Sequence, residues 1–301
     1  VYGNGAAADD NGVVITESGT YIMSGTLSNG FIKVSAETDI KIQLVLDGVS
    51  IHNESGPAIY IQSADKVFIT LAEDSVNTLS DGTSYSATDD STNLDATLFS
   101  KEDLTVNGSG ILNISGNYKH GIVSKDDLVI TGGTINVTSV KVGLNGKDCV
   151  KIGGGTIDIQ AGSDGIRSDN SEDTSRGYIY IAGGNINITS ENDGIQAETI
   201  LKISGGTITV SSGGGSENAS ANSSGEWNLS WKFAGGSLSE STSGTLEESG
   251  KGLKSADTIK IEGGTMQIDS ADDSLHSNNA VYISGGTIKA ESGDDGIHAD
   301  T

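Results

Sequence analysis

The stretch Leu128-Val129-Ile130-Thr131-Gly132-Gly133-Thr134-Ile135-Asn136-Val137 decides the fold, because the chain writes it again and again. It returns at Val150 to Ile159, Ile179 to Ile188, Leu201 to Val210, Ile259 to Ile268 and Val281 to Ala290. The second glycine of the Gly-Gly pair falls at 133, 155, 184, 206, 236, 264 and 286, a unit of 22 residues with surplus in three places. A second landmark keeps the same period: Gly121-Ile122, Gly143-Leu144, Gly165-Ile166, Gly194-Ile195, Gly252-Leu253, Ser274-Leu275 and Gly296-Ile297. Self-similarity at a fixed short period marks a solenoid.

Within each unit apolar residues alternate with polar ones, so the elements are strands. Ile130, Ile152, Ile181, Ile203, Phe233, Ile261 and Ile283 make one inward column; Ile135, Ile157, Ile186, Ile208, Leu238, Met266 and Ile288 make another. Three short strands per unit, joined by Gly-rich corners, predict an all-β chain: a single-stranded parallel β-helix, right-handed by the general rule for parallel crossovers. A leucine-rich repeat shares the period range, but its Leu-x-Leu-x-x-Asn core and helical arm are missing from the text. About ten coils stacked at ~4.8 Å give a solenoid of roughly 50 Å with one continuous core over residues 1–301. Residues 1–96 are the degenerate part, with strands at Ile40-Ile42 and Val67-Ile69, and 97–301 the regular part, opening with Leu104-Val106. Polar loops are expected near 81–95, 169–176, 211–226 and 239–250, with an irregular coil at Trp231 to Gly236.

Composition narrows the partners. The chain has 17 Lys+Arg against 41 Asp+Glu, a formal charge of −24, which opposes both a nucleic acid backbone and an anionic membrane surface. No apolar run is long enough for a membrane span. The first residues, Val1-Tyr2-Gly3-Asn4-Gly5, carry neither the basic nor the apolar region of an export signal. One cysteine, Cys149, excludes an intrachain disulfide framework.

A solenoid core accounts for its own apolar residues, so function is sought on the outward columns. The residue before each Gly-Ile landmark is His120, Val142, Asp164, Asp193, Lys251, Asp273 and Asp295, with Asp272 and Asp294 one place earlier. Four positions past the landmark glycine stand Lys125, Lys147, Asp169, Glu198, Ala256, Asn278 and Asp300. Carboxylates stacked at ~4.8 Å repel unless something neutralises them. Clustered oxygen ligands suit Ca2+. Two candidate sites follow: Asp164 and Asp193 with Asp169 or Glu198, and Asp272, Asp273, Asp294 and Asp295. The alternative is that these residues cap turns before glycine.

A third column reads Lys41, Phe68, Thr105, Val129, Lys151, Tyr180, Lys202, Lys232, Lys260 and Tyr282. Its lysines either offset the acidic columns or, with the tyrosines, form a flat strip for a linear polymer, rings lying against sugar faces. Candidate sugar-binding residues are Lys151, Tyr180, Lys202, Lys232, Lys260 and Tyr282, with loop-borne Trp227 as a further stacking ring.

At Ser163-Asp164-Gly165-Ile166, Asn192-Asp193-Gly194-Ile195 and Asp294-Asp295-Gly296-Ile297, embedded in the Ile-x-Gly-Gly-Thr-Ile unit, the chain resembles the parallel β-helices of the polysaccharide-lyase superfamily. It is most similar to the clostridial carbohydrate-binding β-helix proteins related to family 9 pectate lyases. That resemblance implies a secreted or cell-surface, non-catalytic, calcium-containing protein that binds cellulose or polygalacturonate, the polysaccharides of plant cell walls. The lyase relatives carry Asp-Asp-Gly-x-Asp and a basic Lys. Here His276 and His298 stand at the motif's last position, and Lys251 and Lys254 are the base candidates if the chain is a pectate lyase. A surface adhesive or fibre subunit, associating end to end with copies of itself, is the third reading.

Overall fold

The computed structural model describes residues 5–9, 11–86, 93–219 and 250–300. Those residues form long parallel sheets of short strands, a β-helix-like architecture in which the 22-residue period becomes physical register. Val150 pairs with Leu128 on one side and Ile179 on the other, and Ile179 pairs with Leu201. Each unit supplies one strand to each of three strand series. The first, exemplified by Tyr178–Ile181 and Ile200–Ile203, and the second, exemplified by Asn185–Ser190 and Thr207–Ser212, belong to one sheet. The third is a separate sheet of three-residue strands after the landmark, such as Ile166–Ser168, Ile195–Ala197 and Leu253–Ser255.

Alternation along each strand sends every second residue inward. Ile130, Ile152, Ile181, Ile203 and Ile261 are buried, as are Ile135, Ile157, Ile186, Ile208 and Met266, and they join one apolar cluster running from Ile15 to Leu275. Ile283 and Ile297, in the last described strands, are exposed. The corner glycines answer to backbone geometry. Gly206 has φ +95°, and a Cβ there would stand 3.0 Å from the carbonyl oxygen of Gly184, its counterpart one coil earlier.

Three expectations change. First, the ladder steps directly from Ile200–Ile203 to Thr258–Ile261, pairing Leu201 with Ile259 and Lys202 with Lys260. No rung remains between them for the irregular coil expected at 231–236, which lies outside the described residues together with Phe233 and Leu238. Second, Lys41 pairs with Lys66, and Gln43 takes the position beside Phe68. Lys41–Asn53 is a 13-residue strand that crosses two strand series, so it escapes the regular spacing. Third, the chain's first described strands, Ala6–Asp9 and Gly12–Ile15, form an antiparallel hairpin.

The expected strands around Val67 and Leu104 are present and paired with each other. The loop expected from 211 starts later, because Ser211 and Ser212 complete Thr207–Ser212; a short 3-10 turn follows at Ser216–Asn218. Among the described residues no helix is long and apolar enough to cross a membrane.

Candidate functional site

The column before the landmark has a structural duty that explains its residue types. Four of its side chains accept the backbone N–H of their counterpart in the next coil. His120 Nδ1 accepts from the Val142 amide at 3.1 Å, Asp193 Oδ1 from the Lys251 amide at 3.0 Å, and Asp273 Oδ1 from the Asp295 amide at 3.0 Å. Asp164 accepts the Asp193 amide in the same way. Lys251 offers no acceptor, and there the Asp273 amide turns to Asp272 Oδ1 at 3.0 Å. A buried amide left unpaired would be costly, so His120, Asp164, Asp193 and Asp273 each hold the next coil in place through this bond.

The same carboxylates meet cations built into the neighbouring column. Two residues past the landmark glycine, on the outward side of the three-residue strands, stand Val123, Asn145, Arg167, Gln196, Lys254, His276 and His298, each paired with the next. Arg167 donates to Asp164 at 3.4 Å and to Asp169 at 3.1 Å. Lys254 donates to Asp193 at 2.8 Å, and His276 Nδ1 lies 2.7 Å from Asp273. Lys251 contacts Asp272 and lies 4.0 Å from Asp273. The carboxylates of Asp164, Asp193 and Asp169, expected as calcium ligands, thus pair with Arg167 and Lys254, and half-buried Glu198 stands apart from these pairs. Lys251 and Lys254, the candidate lyase bases, are both committed to carboxylates.

Burial sets the electrostatics. Asp193 is 2 % exposed and Asp164 5 %. Desolvation raises both carboxyl pKa values, the Asp193 charge adding to the effect on Asp164, while Lys254 works against it at Asp193. Burial, with Arg167, Lys125 and Lys119 nearby, lowers His120 to about 4. Asp272, Asp273 and Asp294 bring carboxylate oxygens within 4.8 Å of one another, and Asp103, Asp126 and Asp127 do the same. Asp295 stays apart, exposed and 3.1 Å from His298. The Asp103 group escaped the sequence reading. Its members already face Lys66, Arg176 and Lys151.

The Lys/Tyr strip is continuous in register: Lys151, Tyr180, Lys202, Lys260 and Tyr282 are successive neighbours. Lys232 and Trp227 lie outside the described residues. Beside the strip a cleft of about 510 Å³ opens between the strand face and the loop before Gly177, lined by Lys151, Tyr178, Tyr180, Lys202, Thr174 and Ser175. Tyr178, an extra ring here, begins the strand that carries Tyr180. Lys151 Nζ stands 5.3 Å from the Tyr178 ring centre and Lys202 Nζ 5.7 Å from that of Tyr180. Each ammonium also has an acid, Asp127 at 2.9 Å for Lys151 and Glu262 at 2.9 Å for Lys202. Both roles considered for these lysines are thus compatible: they offset acids and flank aromatic plates.

Comparison with known proteins supports a carbohydrate connection. Residues 9–296 match a family described as carbohydrate-binding domain-containing protein. A relative of that description from Acetivibrio thermocellus is 40 % identical over 135 residues, covering 44 % of this chain and 47 % of the relative. The alignment thus spans about half the relative's length. A solved structure described as the polysaccharide lyase-like protein from C. thermocellum superposes with a TM-score of 0.69 at 40 % identity, over 71 % of this chain and 87 % of that one.

Proposed function

We propose that this chain, which belongs to the family of carbohydrate-binding domain-containing proteins, holds plant cell-wall polysaccharide in the cleft beside Tyr178 and Tyr180 without cleaving it. The observation that carries this reading is the cleft itself, with two tyrosines, two lysines and the hydroxyls of Thr174 and Ser175 around one open space. Aromatic faces suit the C–H faces of sugar rings, and the ammonium and hydroxyl groups suit sugar hydroxyls. Lys151 and Lys202 are balanced by Asp127 and Glu262, so the cleft favours a neutral glucan such as cellulose.

Polygalacturonate faces a chain of charge −24 and needs a bridging cation. Calcium is our candidate. Its place would be the Asp272, Asp273 and Asp294 group, whose oxygen-only donors fit a hard ion once Lys251 swings aside. A polymer of this kind lies outside the cell, so we place the protein on the cell surface or in secretion, in a right-handed helix of about ten coils with one core.

Retention on cellulose and in polygalacturonate gels, with calcium or with EDTA, tests the reading. We expect EDTA to release polygalacturonate and to leave cellulose retention intact. Polygalacturonate retention that survives EDTA would remove the calcium bridge. Binding to neither polymer would remove the carbohydrate function.

A further inference from the structure

The last two described coils place His276 directly against His298, with ring centres 4.9 Å apart and planes 14° from parallel. Each ring has oxygen at both nitrogens. His298 Nδ1 is 3.1 Å from Asp295 and its Nε2 3.0 Å from Asp300; His276 Nδ1 is 2.7 Å from Asp273 and its Nε2 3.2 Å from Asn278. A neutral imidazole carries one N–H, so His298, set between two carboxylates, turns one lone pair toward a carboxylate oxygen, whereas at His276 the Asn278 amide can offer its NH2 group. Imidazole binds a metal through a nitrogen lone pair in the ring plane, so a divalent ion would sit at the edges of the two rings beside Asp273 and not between their faces.

We propose that Asp273, His276 and His298 form a binding site for a borderline divalent metal, with Zn2+ as the preferred ion over Ca2+. One ligand atom from each of the three lies within 4.8 Å of the others. Tetrahedral zinc at about 2.1 Å from its ligands needs neighbours about 3.4 Å apart, so a modest closing of side chains completes the set, with water in the fourth place. Imidazole nitrogen suits zinc, copper and nickel, whereas calcium takes oxygen. The donor set at these two rings therefore does not fit the calcium implied by the lyase motif. Histidine at its last position, in both coils, changes the metal class. Buried Asp273, 4 % exposed and anchored through Oδ1 by the Asp295 amide, gives the site a fixed wall.

The inference does not depend on sugar binding, and its test uses metal alone. Titration calorimetry of the whole chain in calcium-free buffer should show one zinc and one nickel per chain, and because Asp273 also belongs to the calcium group proposed above, bound zinc should weaken calcium there. His276→Asn and His298→Asn should each weaken zinc by tenfold or more, while His52→Asn, the control, leaves it unchanged. Co2+ should give visible absorption bands that vanish in both site variants. His298 is half-buried on an outer coil, and an unchanged circular dichroism spectrum will show that its variant is folded. Zinc affinity untouched by both substitutions, or displacement of zinc by equimolar calcium, would overturn the assignment.

Discussion

Lys254 reaches across 61 residues of sequence, but only one coil of structure, to donate to Asp193 at 2.8 Å. This pair shows how so acidic a chain stacks carboxylates: the cation comes from the adjacent outward column. Asp193 is also the acceptor for the Lys251 amide, so it carries two duties on separate oxygens.

Those duties separate by substitution. Lys254→Met leaves a buried carboxylate without its cation and should cost about 3 kcal/mol. Asp193→Asn keeps an acceptor for the Lys251 amide, whereas Asp193→Ala loses it. Urea unfolding should therefore place Ala below Asn by about 1–2 kcal/mol. Equal losses in Asn and Ala would show that the amide bond contributes nothing.

The landmark glycine is a packing requirement. A Cβ at Gly121, Gly143, Gly165, Gly194 or Gly252 would stand within 2.5 Å of a branched methyl on Val137, Ile159, Ile188, Val210 or Ile268. Ser274 breaks this rule, and the inward column carries Ala290 in register after Ile268. A smaller inward residue accompanies the larger landmark residue. Gly194→Ala should destabilise by about 1–3 kcal/mol through overpacking. Ala290→Ile should be tolerated better with Ser274→Gly than alone, with coupling of about 0.5 kcal/mol or more in a double-mutant cycle. Strict additivity would refute the steric pairing.

Acid should expose His120. Its folded value is depressed from 6.5 to about 4, so the unfolded chain takes up a proton that the folded chain refuses. Stability from this group is intact above pH 6.5 and falls as pH drops toward about 4, by up to about 3 kcal/mol. Asp164 and Asp193, whose values are raised above 3.8, bend the curve the other way as pH falls through their raised values toward 3.8, so they offset part of the His120 loss. His120→Gln should flatten the stability profile between pH 6.5 and 4. An unchanged profile would place the acid sensitivity elsewhere.

The 22-residue period made the strands and the inward columns readable and put His276 and His298 at equivalent positions, because equal spacing becomes register. It misled where spacing is mimicked. Gly235-Gly236 reads as another unit, yet Lys202 and Lys260 are direct neighbours. The acids were found, but not their partners. Arg167, Lys254 and His276 share one column, yet Asn145 and Gln196 interrupt it and disguise it as ordinary polar surface. The cleft was half legible: Tyr180 and the lysines follow the period, whereas Thr174 and Ser175 come from a surplus loop that no periodicity places.

The most direct measurement of the account is polysaccharide affinity after removal of the cleft's rings. Tyr178→Ala and Tyr180→Ala should each weaken cellulose binding by about 1–3 kcal/mol, roughly five- to 150-fold, on the scale of a stacked aromatic contact. Their melting temperatures should stay close to that of the unaltered chain. Cellulose binding that persists at full strength in the double variant would contradict the assignment of the cleft as the sugar site.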